Sequence, residues 1–399
     1  MSRDWIAERP AGLSPSEAAP RLAAAFANGI AAVDAAEWDA CAAGDGPFLS
    51  HAYLAAAEDS GMAAAANGWV PLHLTIRDAQ ARLVAVAPVY LKSHSNDEYW
   101  LDQLWAVGYA QAGGRYYPKL LVGVPFAPVS GRRLLLHPAA PAGVAGMMIG
   151  LLEQLAGRFQ CSSIHATFPD DADRGRLAEA GWLVRHDIQY EWSNPGYRDF
   201  ADFLDALTAK KRQKIRRERR FVAADGVRFR DVAGDRMAAG DVAAFLHLLD
   251  DLHRRRRTPQ PLTAAFLHRL GAALGARLVL SFAEIDGVPA GALLQVAGDR
   301  RLYIRNWGCL AGHRFLHFEA CYYRVVAQAI ERGCEAVEGG YGGPHKLERG
   351  FLPKLTHSLH WFGHRNLRAA VAGHLAQERK DVLDAFARQR AGSPFRQGR

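Results

Sequence analysis

Hydrophobic residues recur along this chain at two spacings, one strand-like and one helix-like. Alternating runs at 72–78 and 82–91 flank a short polar turn, Asp78-Ala79-Gln80, and predict a hairpin. A second hairpin is predicted over 277–285 and 288–296, around Asp286-Gly287, a pair suited to the positive φ angles of a tight turn. Further strands are expected at 119–124, 132–136, 162–168, 182–192, 227–232, 301–307, 336–339 and 355–362. Helical spacing predicts helices over 142–159, 171–180, 197–224, 241–257, 263–274, 315–332 and 365–389. Pro125 and Pro128 end the 119–124 strand, because a proline nitrogen donates no ladder hydrogen bond. Asn194-Pro195-Gly196 punctuates the chain midway, and both halves read as helix, antiparallel strands, helix, strand. The pattern therefore predicts an α+β (mixed α/β) fold in tandem, each copy a mostly antiparallel twisted sheet flanked by helices. The expected layout is a loose, Ala- and Pro-rich arm over 1–34, domains over 35–193 and 194–390, and a tail over 391–399.

A length of 399 residues suits two cores. The 49% hydrophobic and 23% charged content is that of a globular protein. No apolar run reaches the ~18 residues a membrane helix needs, and no leader is evident, so the expected location is the cytoplasm. Cys41, Cys161, Cys309, Cys321 and Cys334 are scattered and form no Cys-x-x-Cys, which predicts neither a disulfide framework nor a metal site. The net charge of +8 points to an anionic partner. Much of it sits in one helix: between Lys210 and Arg220 stand eight cations and a single acid, Glu218. Arg212, Arg216, Arg219 and Arg220 cluster opposite Phe203, Leu204 and Leu207, and Arg254 to Arg257 form a second group. A tRNA backbone or a phosphorylated donor suits such a stripe, although no interleaved stacking aromatics accompany it.

Candidate chemistry concentrates near the C-terminus, from Arg305-Asn306-Trp307-Gly308-Cys309 to Glu338-Gly339-Gly340-Tyr341-Gly342-Gly343-Pro344-His345-Lys346-Leu347-Glu348-Arg349-Gly350. Glu338 ends a strand against a glycine turn, where a carboxylate is placed to deprotonate an amine. Glu319, at the edge of an apolar helix face beside Tyr323, serves either as a base with a raised pKa or as half of an ion pair with an arginine such as Arg305. Gly342, Gly343, His345, Lys346 and Arg349 form either a cradle for phosphate or carboxylate or simply a basic helix start. Tyr116, Tyr117 and Lys119 suit an acceptor groove or ordinary packing. Glu98 and Asp102, four apart on an expected helix, either face solvent or await a cation. No cysteine has a partner arrangement suggesting a nucleophile.

Four stretches carry a resemblance: Tyr116-Tyr117-Pro118-Lys119-Leu120, Val124-Pro125-Phe126-Ala127-Pro128-Val129, Leu316-His317-Phe318-Glu319-Ala320-Cys321-Tyr322-Tyr323 and His345-Lys346-Leu347-Glu348-Arg349-Gly350-Phe351-Leu352-Pro353. From about Phe48 to beyond Trp361 the chain resembles the FemAB-like N-acyltransferases, a bacterial group within the acetyltransferase (GNAT) superfamily. The resemblance implies tandem GNAT-like domains and transfer of an acyl group from an activated donor to an amine of a small molecule or peptide. Better-known Fem-type relatives use aminoacyl-tRNA to extend peptidoglycan precursor peptides, so the implied donor is aminoacyl-tRNA or acyl-CoA, with no tightly bound cofactor. In a GNAT domain the strand before the main helix splays from its neighbour and the helix N-terminus receives the donor pyrophosphate.

On that basis Arg305, Asn306, Trp307, Gly308, Arg212, Arg216, Arg220, Lys346 and Arg349 are expected to bind the donor. Glu338, Glu319 and His345 are the catalytic candidates, and Tyr116, Tyr117, Lys119, Tyr323 and Tyr341 the acceptor contacts. Backbone N–H groups near Gly308 are expected to steady an oxyanion. The CoA-binding signature is half present, with Arg305 and Gly308 in place but Leu310 where a small residue belongs. Gly342 and Pro344 stand where the family pattern has Gln and Glu. The competing expectation is a non-catalytic anion- or nucleic-acid-binding protein on a degenerate transferase fold.

Overall fold

The sequence folds into strands and helices close to the predicted spans, and its departures from them have local causes. The computed structural model describes residues 22–96, 98 and 102–396. They form two units, one running to His186 and taking in His357–Arg379, the other comprising Asp187–Thr356 and the chain from Lys380 onward.

The first unit carries β1 (Ala23–Ala27), α1 (Ala35–Cys41), α2 (His51–Asp59), β2 (Trp69–Pro71), β3 (His73–Arg77), β4 (Leu83–Ala87), β5 (Val89–Lys92) and α3 (Gln103–Gln111). It continues through β6 (Lys119–Val122), β7 (Leu135–Leu136), α4 (Val144–Arg158), β8 (Ser163–Thr167), α5 (Asp171–Glu179) and the start of β9 (Leu183–Ser193). The predicted 82–91 strand is two strands. Pro88 interrupts it, and β4 joins a β1-β3-β4-β7 sheet while β5 pairs with β2 and β6. Part of the expected arm is a strand, since Ala23–Ala27 pairs antiparallel with His73–Arg77; residues 1–21 of that arm lie outside the described residues. β6 and β8 pair in parallel, joined by α4, whose Val144, Met148, Leu152 and Leu155 fill the core against Leu74, Leu120 and Ile164.

The second unit takes the rest of β9, then α6 (Phe200–Ala206), α7 (Ala209–Ala224), β10 (Arg228–Ala233), α8 (Ala239–Arg256), α9 (Ala264–Leu274), β11 (Leu278–Ile285), β12 (Val288–Ala297) and β13 (Arg301–Cys309). After α10 (Leu316–Phe318) comes a π-helical turn, Glu319–Tyr323, which leads into α11 (Arg324–Glu331). β14 (Ala336–Gly340), α12 (Pro344–Leu347), β15 (Leu352–Phe362) and α13 (Arg365–Ala391) follow, β15 and α13 being divided between the units. The β11–β12 turn is the predicted one, with Asp286 at φ 50° and Gly287 at φ 78°. The sheet runs β10-β11-β12-β13-β14-β9, antiparallel throughout except for β13 and β14. One face packs against Phe203, Ile215, Tyr322 and Val325. This is the mixed α/β architecture, a mostly antiparallel sheet flanked by helices, that the sequence predicts.

Two expectations change here. The predicted 197–224 helix breaks at Leu207-Thr208, where Thr208 N–H donates to Pro394 O and Leu207 bridges Phe395. The tail is therefore structured as far as Arg396, whose N–H donates to Ala206 O. The predicted boundary at 193/194 also moves, because residues 190–193 of β9 pair with β14 while residues 358–362 of β15 pair with β8.

Candidate active site

The geometry begins where two parallel strands part. β13 and β14 pair only at Arg301–Ala336, Leu302–Val337 and Tyr303–Glu338. Beyond Tyr303, β13 stays on β12 as far as Cys309, with a bulge at Arg305 between Ile304 and Asn306. Leu310 N–H donates to Ala290 O, so two residues earlier Gly308 N–H points at Ala292, its register partner. Alternation then turns the Trp307 N–H toward the side that β14 has vacated. Gly308 is small because its backbone packs directly on α8. A Cβ there would lie 2.5 Å from Leu249 N and 2.6 Å from Leu248 C on α8. Of the backbone N–H groups around Gly308, the one turned toward the splay is therefore that of Trp307. Asn306 is half-buried opposite Leu294.

Glu338 closes the paired segment. It is 7% exposed, and its Oε1 makes no hydrogen bond among the described residues. Burial pushes its pKa up to about 7; Arg305, Lys354 and Arg301 pull it down, whereas Glu191 pushes it further up. Glu191, directly across the strand pair, accepts from Arg301 and, at 2.8 Å, from Lys354. That pairing leaves Glu338 as the carboxyl held near neutrality, which is what a base for an amine requires. Arg305 sits beside it as a charge partner rather than on Glu319.

The π turn gathers the next group. Glu319 pairs with Arg219 at 3.1 Å, not with Arg305, and burial raises its pKa against that arginine. Tyr323, expected to touch the acceptor, is 1% exposed; its hydroxyl donates to Glu218 and accepts from Arg349 Nε at 2.9 Å. Arg349 is also removed from the donor. Its guanidinium grips Glu218 at 2.9 and 2.7 Å, donates to His345 O at 2.7 Å, and lies 3.3 Å from the Phe318 ring centre. Glu218, named in the sequence only as the lone acid in a cationic run, is the buried anchor of α7. Its spacing with buried Ile215 and Val222 was the available signal.

Lys346 changes role as well. Its ammonium donates to the carbonyls of Gly339, Tyr341 and, at 3.4 Å, Gly340, tying down the glycine loop instead of holding phosphate. Burial pulls its pKa down to about 8. A Cβ at Gly342 would come 2.5 Å from Lys346 Cε, so the lysine side chain passes directly over this glycine. His345, half-buried, shares a hydrogen bond with Tyr322 Oη at 3.1 Å. Tyr341 is half-buried in the same loop. Burial keeps the Cys321 thiol well above its ordinary pKa and therefore protonated.

α7 divides its cations. Lys211 and Lys214 hold Glu348 at 2.9 and 2.5 Å, and Arg212 is drawn to Leu207 O at 3.4 Å and Asp205 at 3.6 Å. Among the described residues Lys210, Arg216, Arg217 and Arg220 have no acidic partner. All four line a groove of about 1250 Å³ that also includes Arg219, Glu319 and Arg324.

The predicted acceptor trio lies in the first unit, in its interior. Lys119 is fully buried and donates to Ser95 at 2.8 Å and to Glu98 and Asp102 at 2.7 Å each, so it is the cation those two acids awaited. Glu98 precedes α3 rather than lying on it, and Asp102 is the N-cap. Tyr116 donates to Asp102 at 2.8 Å, and Tyr117 shares a 2.8 Å bond with Ser95. These contacts form a buried polar cluster, not an acceptor groove.

The second unit is a helix-flanked mixed sheet with one splayed parallel pair and a buried carboxyl at the splay, and it also carries a basic groove along α7. Residues 29–397 match the FemAB-like family, described as peptidoglycan biosynthesis or recognition, and the chain belongs to that family. Among solved structures it is similar to FemX (10% identity, 85% of this chain and 98% of that one, TM-score 0.53) and to L-PGS from Bacillus licheniformis (9%, 80% and 94%, 0.52). A conserved protein of unknown function from Bacteroides thetaiotaomicron is also similar (10%, 84% and 98%, 0.50). At these identities the likeness is one of fold. No curated protein sequence matches the chain.

Proposed function

We propose that this protein transfers an acyl or aminoacyl group from a phosphate-bearing donor to an amine in peptidoglycan metabolism, the process named for its family. The observation that carries this reading is Glu338, a buried carboxyl with a pKa near 7 at the mouth of the β13–β14 splay. Ionised, it takes a proton from the attacking amine as the new C–N bond forms. The Trp307 N–H, directed into the splay, faces the oxygen on which charge develops. The unpaired cations of α7 supply the counter-charge for donor phosphates.

The test is transfer from aminoacyl-tRNA or acetyl-CoA to a lysine-containing peptide, with and without Glu338→Gln. The substitution should cost a factor of about 10² or more in turnover while the protein stays folded. Near-normal turnover in the variant would remove Glu338 as the base. The alternative reading, a non-catalytic polyanion-binding protein, draws on the same α7 groove, and it predicts salt-sensitive RNA binding without transfer.

A further inference from the structure

Beside the splay, on the sheet face opposite α8, three side chains form a chain that the reading above leaves unused. Tyr322 Oη lies 3.1 Å from His345 Nε2 and 3.2 Å from His317 Nε2. A phenol has one proton, so it donates to one imidazole and accepts from the other. His317 packs its ring 5.7 Å from Trp307, and its Nδ1 is buried without a hydrogen-bond partner among the described residues. His345, at the other end, is half-buried in the glycine loop. The π turn makes this possible, because it widens the helix at the point where Tyr322 must meet both rings.

We propose that His345, Tyr322 and His317 form a proton wire that carries a solvent proton to the buried His317 Nδ1 and from there to the group that leaves the acyl donor. In the loaded state His345 Nε2–H donates to Tyr322 Oη, Tyr322 O–H donates to His317 Nε2, and His317 Nδ1 carries the outgoing proton. As the acyl carbon's bond to the leaving sulfur or oxygen breaks, that atom keeps the electron pair and takes the Nδ1 proton. His317 Nε2 gains the tyrosine's proton, Tyr322 gains that of His345 Nε2, and His345 Nδ1 takes one from water. One proton enters and one leaves, and neither ring becomes cationic. Burial favours that course, since it pulls the His317 pKa down to about 3 and lowers that of His345. The leaving-group role rests on the transferase reading; the wire itself does not.

The test is solvent exchange of the His317 ring proton in the full chain labelled with ¹⁵N-histidine, the signal being assigned by its loss in His317→Gln. We expect the proton on Nδ1, with exchange slowed about tenfold or more by Tyr322→Phe and by His345→Gln. A purely structural hydrogen bond predicts the opposite, because loosening the packing speeds exchange. Unchanged or faster exchange in the variants, or a proton found on Nε2, overturns the wire. His345→Gln alters a half-buried side chain and decides the matter if Tyr322→Phe fails to fold. Turnover of acetyl-CoA or aminoacyl-tRNA by the unsubstituted chain is scored separately. Absent turnover with Tyr322-dependent exchange retires the transfer reading and keeps the wire, and the converse result retires the wire alone.

Discussion

A carboxyl that titrates near neutrality weakens the fold once it is ionised. Glu338 moves from an ordinary value of 4.5 to about 7 on folding. Between those values the native state holds a proton that the unfolded chain has lost, so stability falls as pH rises through the window and stays lower above it. Glu338→Gln should therefore unfold at higher urea than the wild type at pH 8. The gain is on the order of 3 kcal/mol at most and should vanish near pH 4; equal stabilities at both pH values would show that the carboxyl is not held neutral. The Glu218–Arg349 pair behaves differently, both partners being almost fully buried. Arg349→Leu strands an acid in the core and should cost about 3–5 kcal/mol in urea unfolding. Adding Glu218→Gln should recover much of that loss, which would mark the penalty as an uncompensated charge.

At the scale of elements, α7 divides its cations into those that hold acids and those that do not. Its Arg216 and Arg220 are exposed and hold no acid among the described residues. Arg216→Glu with Arg220→Glu should leave the melting temperature nearly unchanged and abolish tRNA binding in filter or anisotropy assays. Replacing either one by Gln should shallow the salt dependence by about 0.7–0.9 per lost phosphate contact. What could be read from sequence follows the same division. The β11–β12 hairpin was legible because Asp286-Gly287 dictates its own turn, and the strand that carries Glu338 was legible because glycines end it. Helix 197–224 hid its break at Leu207-Thr208, since the cause is a pairing with Pro394 and Phe395 nearly two hundred residues later. Ala23–Ala27 carries no hydrophobic alternation, so its pairing with β3 leaves no trace in the pattern. Lys346, Arg349 and Tyr323 looked like binding groups because their type was visible and their partners were not.

The whole molecule is not cut where the sequence is. The first unit needs residues 357–379, through β15 on β8 and through Arg185 Nη2 on Glu378 at 2.6 Å. A fragment of residues 1–193 should therefore fail to give a cooperative melt, and supplying residues 350–391 in trans should restore protection of the β8 amides in hydrogen exchange. A fragment that melts cooperatively alone would contradict the division. The tandem repeat was legible from element order, because both halves read as helix, antiparallel strands, helix, strand. The boundary was not, since the strand that completes each sheet belongs by sequence to the other half. Among the described residues no helix is long and apolar enough to cross a membrane.

The acid that quiets α7 arrives late. Glu348, the partner of Lys211 and Lys214, follows at least 134 residues behind them. At ribosomal speeds of about 5–20 residues per second the gap lasts roughly 7–27 s. Throughout it, eight cations face one acid in a nascent segment whose nearest polyanion is the ribosome's own RNA. Until Glu348 emerges, nothing from later in the chain relieves that segment's pull toward the machine that makes it.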